Sequence, residues 1–206
     1  DVSKSQVEYV FITDSGKADL TNMNDPTQKI TWKDTSGNIN MNTVDKYDDV
    51  YAKAHFDPFT LSGGDFRATI NLTFEGGRSA RIDLNIEKNY GAAKLQSTSW
   101  DTFFNEGFQT KYTLTADELN SIKENGVDFT IVRKGSHVYI LLNDVIKFDF
   151  ELTEKDGFNY ATAKAGLNIQ YCQDQERDKN HGLTLDVRGT IPEEIADKIA
   201  EKESAA

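Results

Sequence analysis

The segment RIDLNIE sets Arg81, Asp83, Asn85 and Glu87 at every second position. In an extended chain that spacing sends all four side chains to one face. A guanidinium, an amide and two carboxylates fixed on one plane can make paired hydrogen bonds to vicinal hydroxyls. Acid–base work asks for more, namely two carboxyl groups held about 5–5.5 Å apart for retaining glycoside hydrolysis. Asp83 and Glu87 are four residues apart, which at roughly 3.3 Å per residue is about 13 Å along a strand. The segment therefore reads as a hydrogen-bonding surface, and its spacing argues against catalysis on this strand.

The neighbouring segments extend that surface. In FRATINLTFE the apolar residues are Phe66, Ala68, Ile70, Leu72 and Phe74, with Arg67, Thr69, Asn71 and Thr73 on the other face. A three-residue loop of Gly76, Gly77 and Arg78 would put Asn71 opposite Asp83, Thr73 opposite Arg81, Thr69 opposite Asn85 and Leu72 opposite Ile82. All the apolar residues would then share one side. Continuing through a turn at 88–91 sets Asn85 against Lys94, Asp83 against Gln96 and Arg81 against Thr98, with Trp100 at the end of the polar face. The expected ligand-binding set is Trp100, Asn71, Asp83, Asn85, Lys94 and Gln96. Amides, charges and one aromatic plane suit the hydroxyls and the C–H face of a neutral or basic sugar. An outward strand face is also simply where solvated residues go, and Trp100 has Phe103, Phe104 and Phe108 nearby to pack against.

Other groups carry weaker patterns. Asp174, Glu176, Asp178 and Asn180 are spaced two apart, but the loop lacks the sixth-position glycine and twelfth-position glutamate of a calcium-binding hand. Asp14, Asp19, Asn24 and Asp25 form a similar acidic cluster. No cofactor is expected, with calcium as the minor possibility. His137 alternates with Tyr139 and Leu141 on an expected core face and reads as a satisfied histidine; His55 and His181 are scattered. Cys172 is the one cysteine, so neither an intrachain disulfide nor a paired-cysteine zinc site can form.

The elements that must hold these groups are strands. Period-two alternation recurs in QVEYVFIT, TQKITW, VYAKAHF, FRATINLTF, RSARIDLNIE and LTLDVR, separated by turn sequences such as Gly76-Gly77, Lys134-Gly135-Ser136 and Asn143-Asp144. This predicts an antiparallel two-sheet β-sandwich. Two helices are expected: TADELNSIKENG, with Thr115 and Glu118 as a capping box and Gly126 as terminator, and TIPEEIADKIAEKE, with Thr190 and Glu193 repeating the device. Residues 1–190 form a single domain on this reading, and 191–206 a terminal helix or the start of a linker.

Leu, Ile, Val and Phe make up about 24% of the 206 residues, above the roughly 20% below which chains tend to stay disordered. A formal charge of −11 and a pI near 4.7 oppose nucleic acid and anionic membranes as partners. No apolar run approaches a membrane span, and the opening DVSKSQVEYV lacks a signal-peptide layout.

The segment RKGSHVYILLNDVIKFDFEL resembles the "vyvNGelv" hairpin of concanavalin A-like lectin, glucanase and laminin-G-like jelly rolls, with Asp144 in place of the usual turn glycine. LSGGDFRATINLTF and AGLNIQY resemble further strands of that superfamily, so the resemblance runs from about Val50 to Arg188. It implies a concanavalin A-like jelly roll acting as a non-catalytic carbohydrate-binding module. The setting would be a larger exported or cell-surface protein, bacterial and monomeric as a module. The alternatives are a glycoside hydrolase of the same fold and a protein-binding adhesion or sensor ectodomain. Glucanases of the superfamily carry an ExDxE strand, and Arg81 stands where its first carboxylate would be.

Overall fold

A computed structural model describes residues 9–13, 30–32, 38–43, 46–59, 66–87, 93–98, 109–155, 157–172 and 181–205. In chain order the elements are β1 (Tyr9–Thr13), β2 (Ile30–Trp32), β3 (Asn38–Thr43), β4 (Val50–Phe56), β5 (Phe66–Phe74), β6 (Ser79–Ile86), β7 (Ala93–Thr98) and β8 (Gln109–Thr113). Then come helix α1 (Ala116–Asn125), β9 (Val127–Lys134), β10 (His137–Leu142), β11 (Val145–Glu151), β12 (Glu154–Lys155), β13 (Phe158–Asn159), β14 (Ala165–Cys172), β15 (His181–Arg188) and helix α2 (Glu193–Ser204). A seven-stranded sheet runs β1-β3-β14-β5-β6-β7-β8, and a six-stranded sheet runs β11-β10-β9-β4-β15-β2. Their inner faces close on one core, in which Ile70, Leu72, Ile82 and Leu84 meet Ala54, Phe129, Ile131 and Val138. The expected antiparallel sandwich is what the chain forms.

Alternation explains both faces. In β4, Val50, Ala52, Ala54 and Phe56 enter this core while Tyr51, Lys53 and His55 point outward. The outward row is not simply solvated. Tyr51, Val132, Tyr139 and Leu141 build a second apolar cluster with Ile195 and Ile199 of α2. The helix therefore lies across the outer face of the six-stranded sheet, its two buried isoleucines four residues apart on one side. His137 shares that outer face, so the expectation that it lies on the sandwich core face is corrected. The alternation was read properly, but the layer it points to is supplied by α2.

Helix α1 begins with the expected capping box: Glu118 N–H donates to Thr115 Oγ1 at 3.2 Å, and Thr115 N–H to Glu118 Oε1 at 2.9 Å. Gly126 ends it with φ 76°, where a Cβ would lie 2.0 Å from the Phe56 carbonyl oxygen. Only glycine fits there. Helix α2 departs from expectation: its N-cap is Pro192, without a side-chain cap, and the Pro192 carbonyl accepts from Ile195 N–H at 3.0 Å and Ala196 N–H at 2.9 Å. Thr190 and Glu193 form no capping box because the helix starts two residues later than Thr190 would require.

The β5–β6 register is a second correction. The loop has three residues, but they are Glu75, Gly76 and Gly77; Phe74 N–H donates to the Arg78 carbonyl at 2.7 Å. Asn71 consequently faces Arg81, Leu72 faces Ala80, and Asp83 faces Thr69. Both glycines have positive φ, near 84° and 82°, whereas Arg78 is extended at φ −83° and ψ 155°. The left-handed positions belong to glycine and the extended one to the strand. The shift is two residues, so the facing of every side chain is preserved. The β6–β7 register is as expected, with Asn85 opposite Lys94, Asp83 opposite Gln96 and Arg81 opposite Thr98.

Candidate functional site

Strand registers set the polar residues of the seven-stranded sheet in three rows. The first runs Asn42, Asn168, Asn71, Arg81, Thr98; the second Asn40, Gln170, Thr69, Asp83, Gln96; the third Cys172, Arg67, Asn85, Lys94. Every row crosses the sheet perpendicular to the strands, so neighbours in a row are about 4.5–5.5 Å apart. Their apolar companions, Ile169, Ile70, Ile82 and Leu84 among them, fill the core beneath. The platform is thus the obligatory outer face of strands whose inner face is buried.

Within it, Asp83 has no exposed surface. Thr69 Oγ1 donates to Asp83 Oδ1 at 2.7 Å, and Arg81 donates from Nε to the same oxygen at 3.1 Å. The carboxylate therefore orients Arg81 and does not itself face a ligand. Asn71 is partly exposed and donates to Asn168 Oδ1 at 3.2 Å. Asn85 is 8% exposed, and its Oδ1 is buried without a hydrogen-bond partner. Lys94 lies 3.9 Å from Glu87, at the outer limit of an ion pair. Gln96 is placed by its backbone pairing alone, and Trp100 falls outside the described residues, as do both acidic loops at 14–25 and 174–180. Among the described residues, no group of His, Cys, Asp and Glu is arranged to hold a metal ion.

The sequence reading missed Asn168 and Gln170 as platform members. Their alternation in AGLNIQY was the available signal, but the pairing of β14 with β5 joins residues 97 apart in sequence. It also missed a polar cluster on the opposite sheet. His137 Nε2 lies 2.7 Å from Asp149 Oδ1 and Nδ1 2.5 Å from Glu151 Oε2, while Ser136 Oγ donates to Glu151 Oε1 at 2.6 Å. Partial burial pulls the His137 pKa down, but hydrogen bonds and charge from the two carboxylates outweigh it and hold the ring above its ordinary value. This groove, about 690 Å³ with Lys202 and Glu203 of α2 on its wall, is internally satisfied: Lys202 Nζ pairs with Asp149 at 3.2 Å and the Tyr139 hydroxyl donates to Glu203. His137 is a satisfied histidine, as expected.

No protein-family model matches the chain, and no curated protein is significantly similar to it. Solved structures match it in shape. The legume lectin-like domain from Entamoeba histolytica superposes with a TM-score of 0.55 at 10% identity, covering 89% of this chain and 91% of that one. The exoplasmic/lumenal domain of VIP36, in its calcium- and mannose-bound form, gives 0.54 at 10% identity over 90% of this chain and 84% of that one. A pseudo β-1,3-glucanase and immunostimulatory antigen of Mycobacterium tuberculosis gives 0.51 at 15% identity over 81% and 77%. Two antiparallel sheets stacked on one core, with this agreement in shape across 77–91% of each partner, give the chain the concanavalin A-like jelly-roll fold.

Proposed function

We propose that this chain is a non-catalytic carbohydrate-binding module of lectin type, working through the polar face of the seven-stranded sheet. The observation that carries the reading is the three-row platform: amides, guanidiniums and an ammonium at cross-strand spacing on a rigid, packed sheet, the group set that fixes sugar hydroxyls in place. Rigid positioning matters because hydrogen bonds to a solvated sugar give only about 0.5–1.5 kcal/mol net each. They accumulate only when the side chains need little ordering.

A hydrolase on this face is disfavoured by Asp83, whose carboxylate is enclosed and bonded to Arg81 and Thr69, leaving Glu87 without an exposed partner of its kind on β6. The similar solved domains include a mannose-bound one and a pseudo-glucanase, which agrees with either outcome for the fold. The ligand-binding set is Asn71, Asn85, Lys94, Gln96 and Trp100, with Arg67, Arg81 and Asn168 added and Asp83 acting through Arg81. An exported or cell-surface setting in a larger protein is part of the reading. No helix among the described residues is long and apolar enough to cross a membrane.

The test is a glycan array on the purified protein, with and without EDTA, followed by Trp100→Ala. Binding that survives EDTA and falls in Trp100→Ala at unchanged melting temperature is expected. Absence of binding to every glycan would overturn the reading. A variant that melts early yet binds normally per folded molecule would remove Trp100 from the site and leave it in the core.

A further inference from the structure

We infer that the ligand of this platform is a saccharide bearing an isolated anionic group, a carboxylate or a sulfate, next to a free hydroxyl. The inference rests on the glycan-binding reading above and assigns its charge. The sequence alone suggested a neutral or basic sugar, with Asp83 counted among the groups that face it. Burial reverses that sign. Asp83 is enclosed, and its charge is taken up by Thr69 and Arg81 within the sheet, so it presents no anion to a ligand.

At the surface Arg67, Arg81 and Lys94 are cationic, set against the Glu87 carboxylate, which is 47% exposed beside Lys94. Arg81 is partly exposed, and its Nε and Nη2 are turned toward Asp83 and Thr69, which leaves Nη1 without a partner among the described residues. Arg67 is partly exposed and makes no hydrogen bond or ion pair among the described residues. Among the described residues Lys94 has only the 3.9 Å contact with Glu87, and both of those side chains are solvent-accessible. Arg67 and Lys94 stand on either side of Asn85 in the third row.

Asn85 supplies the second, independent observation. Among the described residues its Oδ1 is a buried acceptor without a donor, with less than 1 Å² of accessible surface, so a ligand donor reaches it only once neighbouring side chains move aside; until then the orphan costs about 1–3 kcal/mol. A hydroxyl can satisfy it; a carboxylate or sulfate cannot, because neither has a proton to give at neutral pH. The row therefore asks for an O–H at its centre and negative charge on the Arg67 side, which is the pattern of a pyranose whose anionic substituent neighbours a hydroxyl. The chain's net charge of −11 repels extended polyanions. Within a Debye length of about 8 Å at physiological salt the local cations dominate, whereas a long polyanion would also lie over the acidic remainder of the surface, so a short oligosaccharide with one anionic group fits better.

The experiment is calorimetric titration of the whole protein at roughly 0.15 M salt with two matched pairs that differ by a single anionic group: methyl galacturonoside against its methyl ester, and galactose 3-sulfate against galactose. A neutral glycan panel is titrated in the same buffer. At least one anionic member should bind about tenfold or more tighter than its partner, the effect of one charge-assisted hydrogen bond. The pair showing the preference distinguishes carboxylate from sulfate. Arg67→Gln with Lys94→Gln should bring the anionic member down to the affinity of its partner without moving the partner's own. Neutral glycans binding with no preference in either pair overturns this inference and leaves the glycan-binding reading standing. No saccharide of any kind binding overturns both.

Discussion

The Lys147 ammonium lies 3.0 Å from the Glu118 carboxylate, and the Tyr112 hydroxyl sits between them, donating to Glu118 at 2.6 Å and accepting from Lys147 at 3.2 Å. Tyr112 belongs to β8 and Lys147 to β11, the outermost strands of the two sheets on that side. The triad thus ties the two edge strands together across one flank of the sandwich. It exists because a bulge at Ile140/Leu141 breaks the β10–β11 register. Ile146 then faces α2 while Phe148, two residues on, faces the inner core, and Lys147 is turned toward the flank.

A double-mutant cycle on Lys147→Met and Glu118→Gln should give a coupling of about 1–3 kcal/mol. That lies between the value for exposed pairs and the cost of breaking fully buried ones, because the two side chains are 16% and 18% exposed. Urea unfolding of the four proteins measures it. A coupling near zero would mean that the edges are held by packing alone.

The His137 cluster makes stability depend on pH in two directions. The folded pKa of His137 is raised above 6.5, so its contribution is fully present below that value and lost as pH rises through the folded pKa. Burial raises the Asp149 carboxyl, but His137 and Lys202 lower it more, to a net value below 3.8; its contribution is lost as pH falls through that lowered value. Melting temperatures recorded from pH 5 to 9 should decline on the alkaline side in the parent protein. In His137→Gln that decline should be smaller, and an identical slope in the two proteins would contradict the assignment.

Asp83→Ala is expected to lower stability by about 1–3 kcal/mol, since it leaves the buried Thr69 hydroxyl without its acceptor. It should also weaken glycan binding by freeing Arg81. Asp83→Asn, which still offers Thr69 an acceptor oxygen, should recover part of the stability. Thermal melts alongside binding isotherms separate the two effects, and unchanged stability in Asp83→Ala would show that the carboxylate is not the anchor of this network.

Gly126→Ala should destabilise the protein by more than about 1 kcal/mol, because alanine at φ 76° is strained and its Cβ would meet the Phe56 carbonyl at 2.0 Å. Gly77→Ala also meets a positive φ, but nothing lies within 4 Å of its Cβ. The difference between the two melting curves isolates the steric contribution, and equal losses would assign the whole effect to backbone strain.

Much of this protein was legible in its sequence because strand alternation is local. Arg81, Asp83 and Asn85 had to share a face, and Ile82 and Leu84 had to be buried opposite them, whatever the register. The capping box of Thr115 and Glu118 is equally local, closing within four residues. Register was less secure: whether Glu75 or Arg78 joins the two glycines in the β5–β6 loop depends on where positive φ is needed, and moving the loop by one residue changed Asn71's partner from Asp83 to Arg81 while leaving the facing intact. Only the tertiary structure decided the rest. It brought Asn168 beside Asn71 and laid α2 over Tyr139. It also enclosed Asp83, turning the most conspicuous carboxylate of the polar face from a ligand group into the support of an arginine. Burial and long-range pairing depend on which strands become neighbours, and alternation within a single strand carries no information about that.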